Sequence, residues 1–233
     1  MNIETVLVVE DQKMFREFLT DWLVKAGFEV IGAAASLAEA HRLSRGRNPD
    51  LVLLDLDLPD GEGLEYVDRQ VARRPTTRIL VLTAHVENYP VVRLKRSGVM
   101  GALDKAETSG EELERAVNVI SQWRTYYSDR VEKSFRDLVR ESTAFYKTLS
   151  PREEQLLKLF GRGLSNERIA RELGLAVATV QGHRRNVMGK LGVRSTPELI
   201  IWAIQNGFVR GAQINRMQPV EGKHKEAQPP AQD

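Results

Sequence analysis

Leu51-Val52-Leu53-Leu54-Asp55-Leu56-Asp57-Leu58-Pro59-Asp60-Gly61-Glu62-Gly63 is the stretch on which the fold turns. Its opening apolar run is too short for a buried helix and suits a strand covered on both faces, as strands of a parallel sheet are. The run ends at Asp55, and Leu58-Pro59-Asp60-Gly61 reads as a tight turn. Working outward, the same unit recurs. Apolar runs at Val6–Val9, Val30-Ile31, Ile79–Leu82 and, more weakly, Met100–Leu103 alternate with amphipathic stretches around residues 13–26, 37–45, 63–72, 89–96 and 110–124. Two of these stretches open on S-x-x-E capping boxes, Ser36/Glu39 and Ser109/Glu112. The alternation predicts an α/β domain with a five-stranded, parallel, doubly wound sheet over residues 1–124. Chemistry in such a sheet gathers at the carboxyl ends of its strands, so the residues just past each run form the candidate site.

Those residues are Glu10-Asp11, Asp55, Thr83 and Lys105. Three carboxylates in one cleft repel one another, and a divalent cation is the natural way to keep them ionised. Oxygen-only ligands point to Mg²⁺ or Mn²⁺, with the Asp57 backbone carbonyl expected to complete the shell. A carboxylate so held can attack a phosphoryl group, while the Lys105 ammonium and Thr83 hydroxyl contact the transferred oxygens.

This segment resembles the receiver domain of bacterial two-component response regulators, through the acidic pair, Asp55/Pro59/Gly63 as D-x-x-x-P-x-x-x-G, Thr83-Ala84 and Lys105. The resemblance implies a flavodoxin-like fold and a partner histidine kinase. It makes Asp55 the phosphoacceptor, assigns the metal to Glu10, Asp11, Asp55 and the Asp57 carbonyl, and gives Thr83 and Lys105 as phosphoryl contacts. It departs at Ala102, where the family commonly carries an aromatic residue that rotates inward; His85 and Met100 are the nearby large residues.

Residues 125–147 contain no Pro or Gly and read as a helical connector. From Ser150-Pro151-Arg152-Glu153, an N-cap, a first-turn proline and a capping acid, the pattern over 148–211 is helical only. Formal charge divides the chain. Residues 1–124 hold 16 Lys+Arg and 20 Asp+Glu, net −4, whereas 148–211 hold 10 and 5, net +5. A basic helical unit suits a polyanion. Two apolar stripes, Ile169/Ala170/Leu173 and Val177/Val180/Val187/Leu191, separated at Gly174, predict a helix-turn-helix. Its second helix offers Thr179, Gln181, His183, Arg184, Arg185 and Lys190 to the major groove and backbone of double-stranded DNA.

Leu149 to Val209 resembles the LuxR-type helix-turn-helix domain, through the opening LSPRE, Gly163–Asn166, Thr179-Val180, His183, Lys190–Val193 and Gly207. Joined to a receiver, it is similar to the NarL/FixJ subfamily. The resemblance makes 177–189 the recognition helix, and Leu199 and Trp202 on the last helix dimer contacts on DNA. It departs at Ala176 and Gln181, where relatives usually carry Ser and Lys, and Gly182 weakens the helix.

The absence of Cys excludes a disulfide framework and thiolate metal sites, and no apolar run is long enough to span a membrane. A cytoplasmic protein with no membrane partner is expected, its tail at 212–233 too polar to order itself. Phosphorylation would shift a two-state equilibrium in which one state masks the recognition helix or hinders dimerisation. The chain is expected not to be a turnover enzyme. Two rivals remain: a regulator acting through protein contacts or independently of phosphate, and a phosphohydrolase using Asp55-x-Asp57, against which Glu10-Asp11 stand too early in the chain.

Overall fold

A computed structural model describes residues 3–84, 86, 89–140 and 148–209. His85, connector residues 141–147 and the tail at 212–233 lie outside the described residues.

The first domain runs β1 (Thr5–Val9), α1 (Lys13–Lys25), β2 (Glu29–Ala34), α2 (Leu37–Leu43), β3 (Leu51–Asp55), then a small antiparallel pair, β4 (Asp57–Leu58) and β5 (Gly61–Glu62). It continues through α3 (Gly63–Arg73), β6 (Arg78–Thr83), α4 (Tyr89–Arg96), β7 (Gly101–Asp104) and α5 (Gly110–Ser121). Strand order is β2-β1-β3-β6-β7, every neighbour pair parallel, with one further strand beyond β7. Period-two alternation divides the core. Val6, Val8, Leu51, Leu53, Leu80 and Leu82 pack with α1 and α5, whereas Leu7, Val9, Val52, Leu54, Ile79 and Val81 pack toward α2, α3 and α4. The Ser36 and Ser109 hydroxyls cap α2 and α5 by accepting from the Glu39 and Glu112 amides at 3.2 Å.

Register aligns the strand ends. Val9 lies opposite Leu54, so Glu10 and Asp55 leave the sheet side by side, and Thr83 lies opposite Asp104, which sets Lys105 beside them. Gly63 is fixed by close approach: a Cβ there would stand 2.7 Å from the Asp55 carbonyl oxygen and 2.8 Å from Leu56 Cα. Any larger residue would push α3 away from the phosphoacceptor strand.

The sheet has a sixth strand where the sequence predicts only a helical connector. Tyr126–Tyr127 form β8, parallel to β7 with Gly101 opposite Tyr126 and Ala102 opposite Tyr127. An edge strand leaves unpaired carbonyls and amides, and those of β7 are answered here. The Tyr126 amide donates to the Met100 carbonyl at 2.9 Å and the Ser128 amide to Ala102 at 3.0 Å. The Tyr126 hydroxyl donates to Glu112 at 2.8 Å, tying β8 to α5. Helix α6 (Asp129–Arg140) then covers α4 and β7, burying Val131 and Leu138. Lys95 of α4 sits 3.4 Å from the Tyr127 ring centroid and pairs with Glu132 of α6.

The second domain packs α7 (Pro151–Gly161), α8 (Asn166–Leu173), α9 (Val177–Leu191) and α10 (Thr196–Gln205) around Leu156, Leu157, Phe160, Ile169, Val180, Val187, Leu199 and Ala203. Ser150 and Glu153 complete a reciprocal capping box with proline at the start of α7. Helix α8 stops at Gly174 (φ +64°), and α9 starts on Ala176 without a side-chain cap. The domains touch through a Lys158–Glu62 ion pair, Arg96–Glu154 at 4.0 Å, and Gly207 against Pro90.

Candidate functional site

The acidic pocket is assembled by loops that follow strands. One oxygen each from Glu10, Asp11 and Asp55 lie within 4.8 Å of one another, a spacing that can hold a metal ion. Glu10, Asp55 and Thr83 are buried and Asp11 is exposed. Lys105 Nζ enters between the buried acids, 2.7 Å from Glu10 Oε2 and 2.8 Å from Asp55 Oδ2. Backbone amides orient the rest: the Gln12 amide donates to Glu10 at 3.1 Å, and the Asp57 amide to Asp55 Oδ1 at 3.0 Å.

Burial pushes the Glu10 carboxyl above its usual range, and the Asp55 charge adds to this, while the Lys105 bond and charge and the Gln12 amide pull it back. Three carboxylates against one ammonium leave two negative charges uncompensated in a largely buried cleft. Glu10 Oε2 and Asp55 Oδ2 share the single Lys105 ammonium, and the all-oxygen donor set with its excess negative charge suits a hard divalent cation.

The second candidate surface is α9. Thr179, Gln181, Arg185 and Lys190 are exposed along it, and His183 is half-buried. Among the described residues these four exposed positions of α9 stay open rather than packed beneath another element.

Residues 6–118 match the response regulator receiver domain, and 147–203 match bacterial regulatory proteins of the luxR family. The response regulator protein VraR of Staphylococcus aureus is 30% identical over 206 residues, 88% of this chain and 98% of that protein. The chain belongs to the LuxR-type response regulators. Among solved structures, RcsB of Salmonella enterica serovar Typhimurium, bound to a promoter in the presence of the phosphomimetic BeF₃⁻, superposes with a TM-score of 0.59 at 19% identity, covering 86% of this chain and 98% of that one. A LuxR-family two-component regulator from Aurantimonas sp. gives 0.55 at 26% identity, covering 60% of this chain and 99% of that one.

Several side chains of this regulator do work that its sequence does not announce. Arg16 NH1 donates to the carbonyls of Glu10 at 2.6 Å and Asp11 at 3.0 Å, clamping the acidic loop from one turn into α1. Asp104, the residue before Lys105, is buried and takes Arg130 of α6 at 2.7 Å, linking the pocket's last strand to the connector helix. Only the spacing of Arg16 from Glu10-Asp11 was available as a signal, and nothing in the sequence tied Arg130 to Asp104.

Some residues expected at the DNA and dimer surfaces pack within the helical domain itself. The Arg184 guanidinium lies 4.3 Å from the Phe160 ring centroid and donates to the Leu164 carbonyl at 3.2 Å and Thr196 Oγ1 at 3.3 Å. Its alkyl stem and planar head suit this inward packing. Leu199 is fully buried in the domain's own core and Trp202 leans on Phe208 with centroids 5.8 Å apart, so the outward apolar residues of α10 are Ile201 and Ile204. Lys190 remains on the surface but pairs with Glu153 at 2.7 Å.

Proposed function

We propose that Asp55 of this regulator accepts a phosphoryl group from a sensor histidine kinase and that the modification sets sequence-specific binding of a homodimer to double-stranded DNA. The convergence of Glu10, Asp11, Asp55 and Lys105 in one cation-sized pocket carries this reading. An Asp55 oxygen forms the new O–P bond as the donor's bond to phosphorus breaks. Lys105 and Thr83 meet the arriving phosphoryl oxygens; Glu10, Asp11, Asp55 and the Asp57 carbonyl would hold Mg²⁺ or Mn²⁺, which would supply positive charge to screen those oxygens. The protein is a stoichiometric acceptor rather than a turnover enzyme and works in the cytoplasm; among the described residues no helix is long and apolar enough to cross a membrane.

Coupling runs through the domain contact. A cavity of about 300 Å³ beside the pocket is walled by Asp11, Asp57 and Glu62 on one side and by Lys158, Gly207 and Phe208 on the other. An aspartyl phosphate adds about −1.5 to −2 charges here. It shifts the balance between docked and released positions of the helical domain, and so the spacing of two recognition helices in a dimer. On α9, Thr179, Gln181 and His183 read bases while Arg185 and Lys190 meet phosphates.

Selection of bound duplexes from random sequence by wild type and Asp55→Asn, each with and without acetyl phosphate and Mg²⁺, tests the proposal. Enrichment strengthened by the phosphodonor in the wild type alone is the expected result. Equal enrichment in all four samples refutes phosphate control. Binding indifferent to salt instead favours a regulator working through protein contacts, since phosphate contacts release counterions.

A further inference from the structure

The acidic pocket occupies the carboxyl end of the sheet. At the amino end, the last turn of α2, the loop into β3 and the final turns of α3 border a different, open cavity of about 360 Å³. Four arginines line it, Arg45, Arg69, Arg73 and Arg74, together with His41 and Gln70. Among the described residues no carboxylate does.

The cations are poorly neutralised from outside. Glu65 pairs with Arg69 at 3.2 Å, but both side chains are 54% exposed and such pairs contribute little. Arg74 donates to the carbonyls of Arg47 at 3.2 Å and Ser44 at 3.4 Å, which fixes its guanidinium in the cavity floor and leaves its charge intact. Arg45 and Arg73 make no ion pair among the described residues. His41 is held below its usual pKa by burial, then by Arg69 and Arg73, against the opposing charge of Asp60. Its ring tilts against Tyr66 with centroids 5.2 Å apart, a flat wall on one side of the cavity. Tyr66 and Gln70, both buried, keep this wall and the floor in place.

We propose that this cavity binds a diphosphate or longer phosphate chain, free or carried on a nucleoside, at a site separate from the phosphoacceptor pocket. Guanidinium forks match phosphate oxygens in pairs, and the volume falls at the low end of small-ligand pockets, roughly 300–1,000 Å³. A single phosphate, with about −1.5 to −2 charges, would answer only half of the four cations. A duplex backbone would reach the exposed rim at Arg45 and Arg73 but not the half-buried Arg74 or buried Gln70.

Isothermal titration of the full-length protein with pyrophosphate, orthophosphate and ADP, all in EDTA to silence metal-assisted binding at Asp55, tests this. Saturable pyrophosphate binding to one site, stronger than that of orthophosphate, is expected. Arg45→Gln with Arg73→Gln should weaken it about tenfold or more, and Asp55→Asn should leave it unchanged. Both arginines are exposed, so an unaltered melting temperature will show that the double variant folds. Tighter binding of ADP than of pyrophosphate extends the site to a base against His41, and equal binding confines it to the phosphate chain. Absence of saturable binding, or equal affinity in wild type and double variant, overturns the proposal. So does a double variant whose only loss is affinity for a DNA duplex, which would make the arginines backbone contacts.

Discussion

Replacing Gly101 by Ala should unseat β8. The added Cβ would lie 2.2 Å from the Tyr126 carbonyl oxygen, with Leu80 at 3.1 Å and Ile120 at 3.2 Å closing the other sides. The strand must withdraw by about 1 Å to restore contact distance. The Tyr126–Met100 and Ser128–Ala102 hydrogen bonds, now 2.9 and 3.0 Å, lengthen beyond useful range. Losing two such bonds costs about 2 kcal/mol and overpacking about 1–3 more, so the variant should lose about 3–5 kcal/mol. That is a large share of a typical domain stability of about 5–15 kcal/mol. Urea unfolding of wild type and variant gives the difference, and hydrogen exchange across Tyr126–Arg140 locates it. A loss below about 1 kcal/mol with unchanged exchange in α6 would refute the reasoning.

Arg184→Ala should lower the stability of the helical domain by about 1–3 kcal/mol through lost packing on Phe160 and two lost hydrogen bonds, seen as a reduced melting temperature; a variant that melts like wild type but reads different DNA would contradict the inward placement. Arg185→Ala should weaken binding to specific and random duplexes alike and reduce the slope of log affinity against log salt by about 1, measured by fluorescence anisotropy. Gly182→Ala should stabilise by about 0.5–1 kcal/mol, because the position is inside α9 and a Cβ there meets nothing within 4 Å; a fall in melting temperature is the contrary outcome. Because the Glu10 carboxyl titrates above its ordinary value of 4.5, protons should compete with Mg²⁺ while exposed glutamates are still ionised. Metal affinity should therefore fall as pH drops toward that value, and in the metal-free protein this group's contribution to stability should be lost as pH rises through its folded pKa. Calorimetric Mg²⁺ titrations at several pH values check it, and affinity that stays flat down to the ordinary glutamate range would speak against it.

The sequence was most readable where the chain repeats a simple period. Apolar runs at Val6–Val9 and Leu51–Leu54 are buried on both faces and could hardly be anything but inner strands, and their alignment places Glu10 beside Asp55. Tyr126-Tyr127 is different: two residues carry no period, and their extended form depends on a partner 25 positions earlier at Gly101. The same blindness affects direction around a helix. Leu199, Ile201, Trp202 and Ile204 all look apolar in sequence, and only packing against α7 decides that Leu199 turns inward and Ile201 outward. Arg184 and Arg185 are neighbours of one type, and the ring of Phe160 on another helix separates their roles. The cluster of Arg45, Arg69, Arg73 and Arg74 likewise comes from two distant segments that the fold brings to one cavity.

The strand and helix that follow α5 change where this protein can be cut. Family resemblance places the end of the first module near residue 118, yet its sheet is finished only by Tyr126–Tyr127 and roofed only by α6. A fragment trimmed at the family boundary would bare the outer margin of β7, with the Met100 and Ala102 carbonyls open to another copy of itself. Excision beyond Arg140 keeps that margin sealed, so stickiness in the shorter fragment would reflect the choice of cut rather than the behaviour of the native chain.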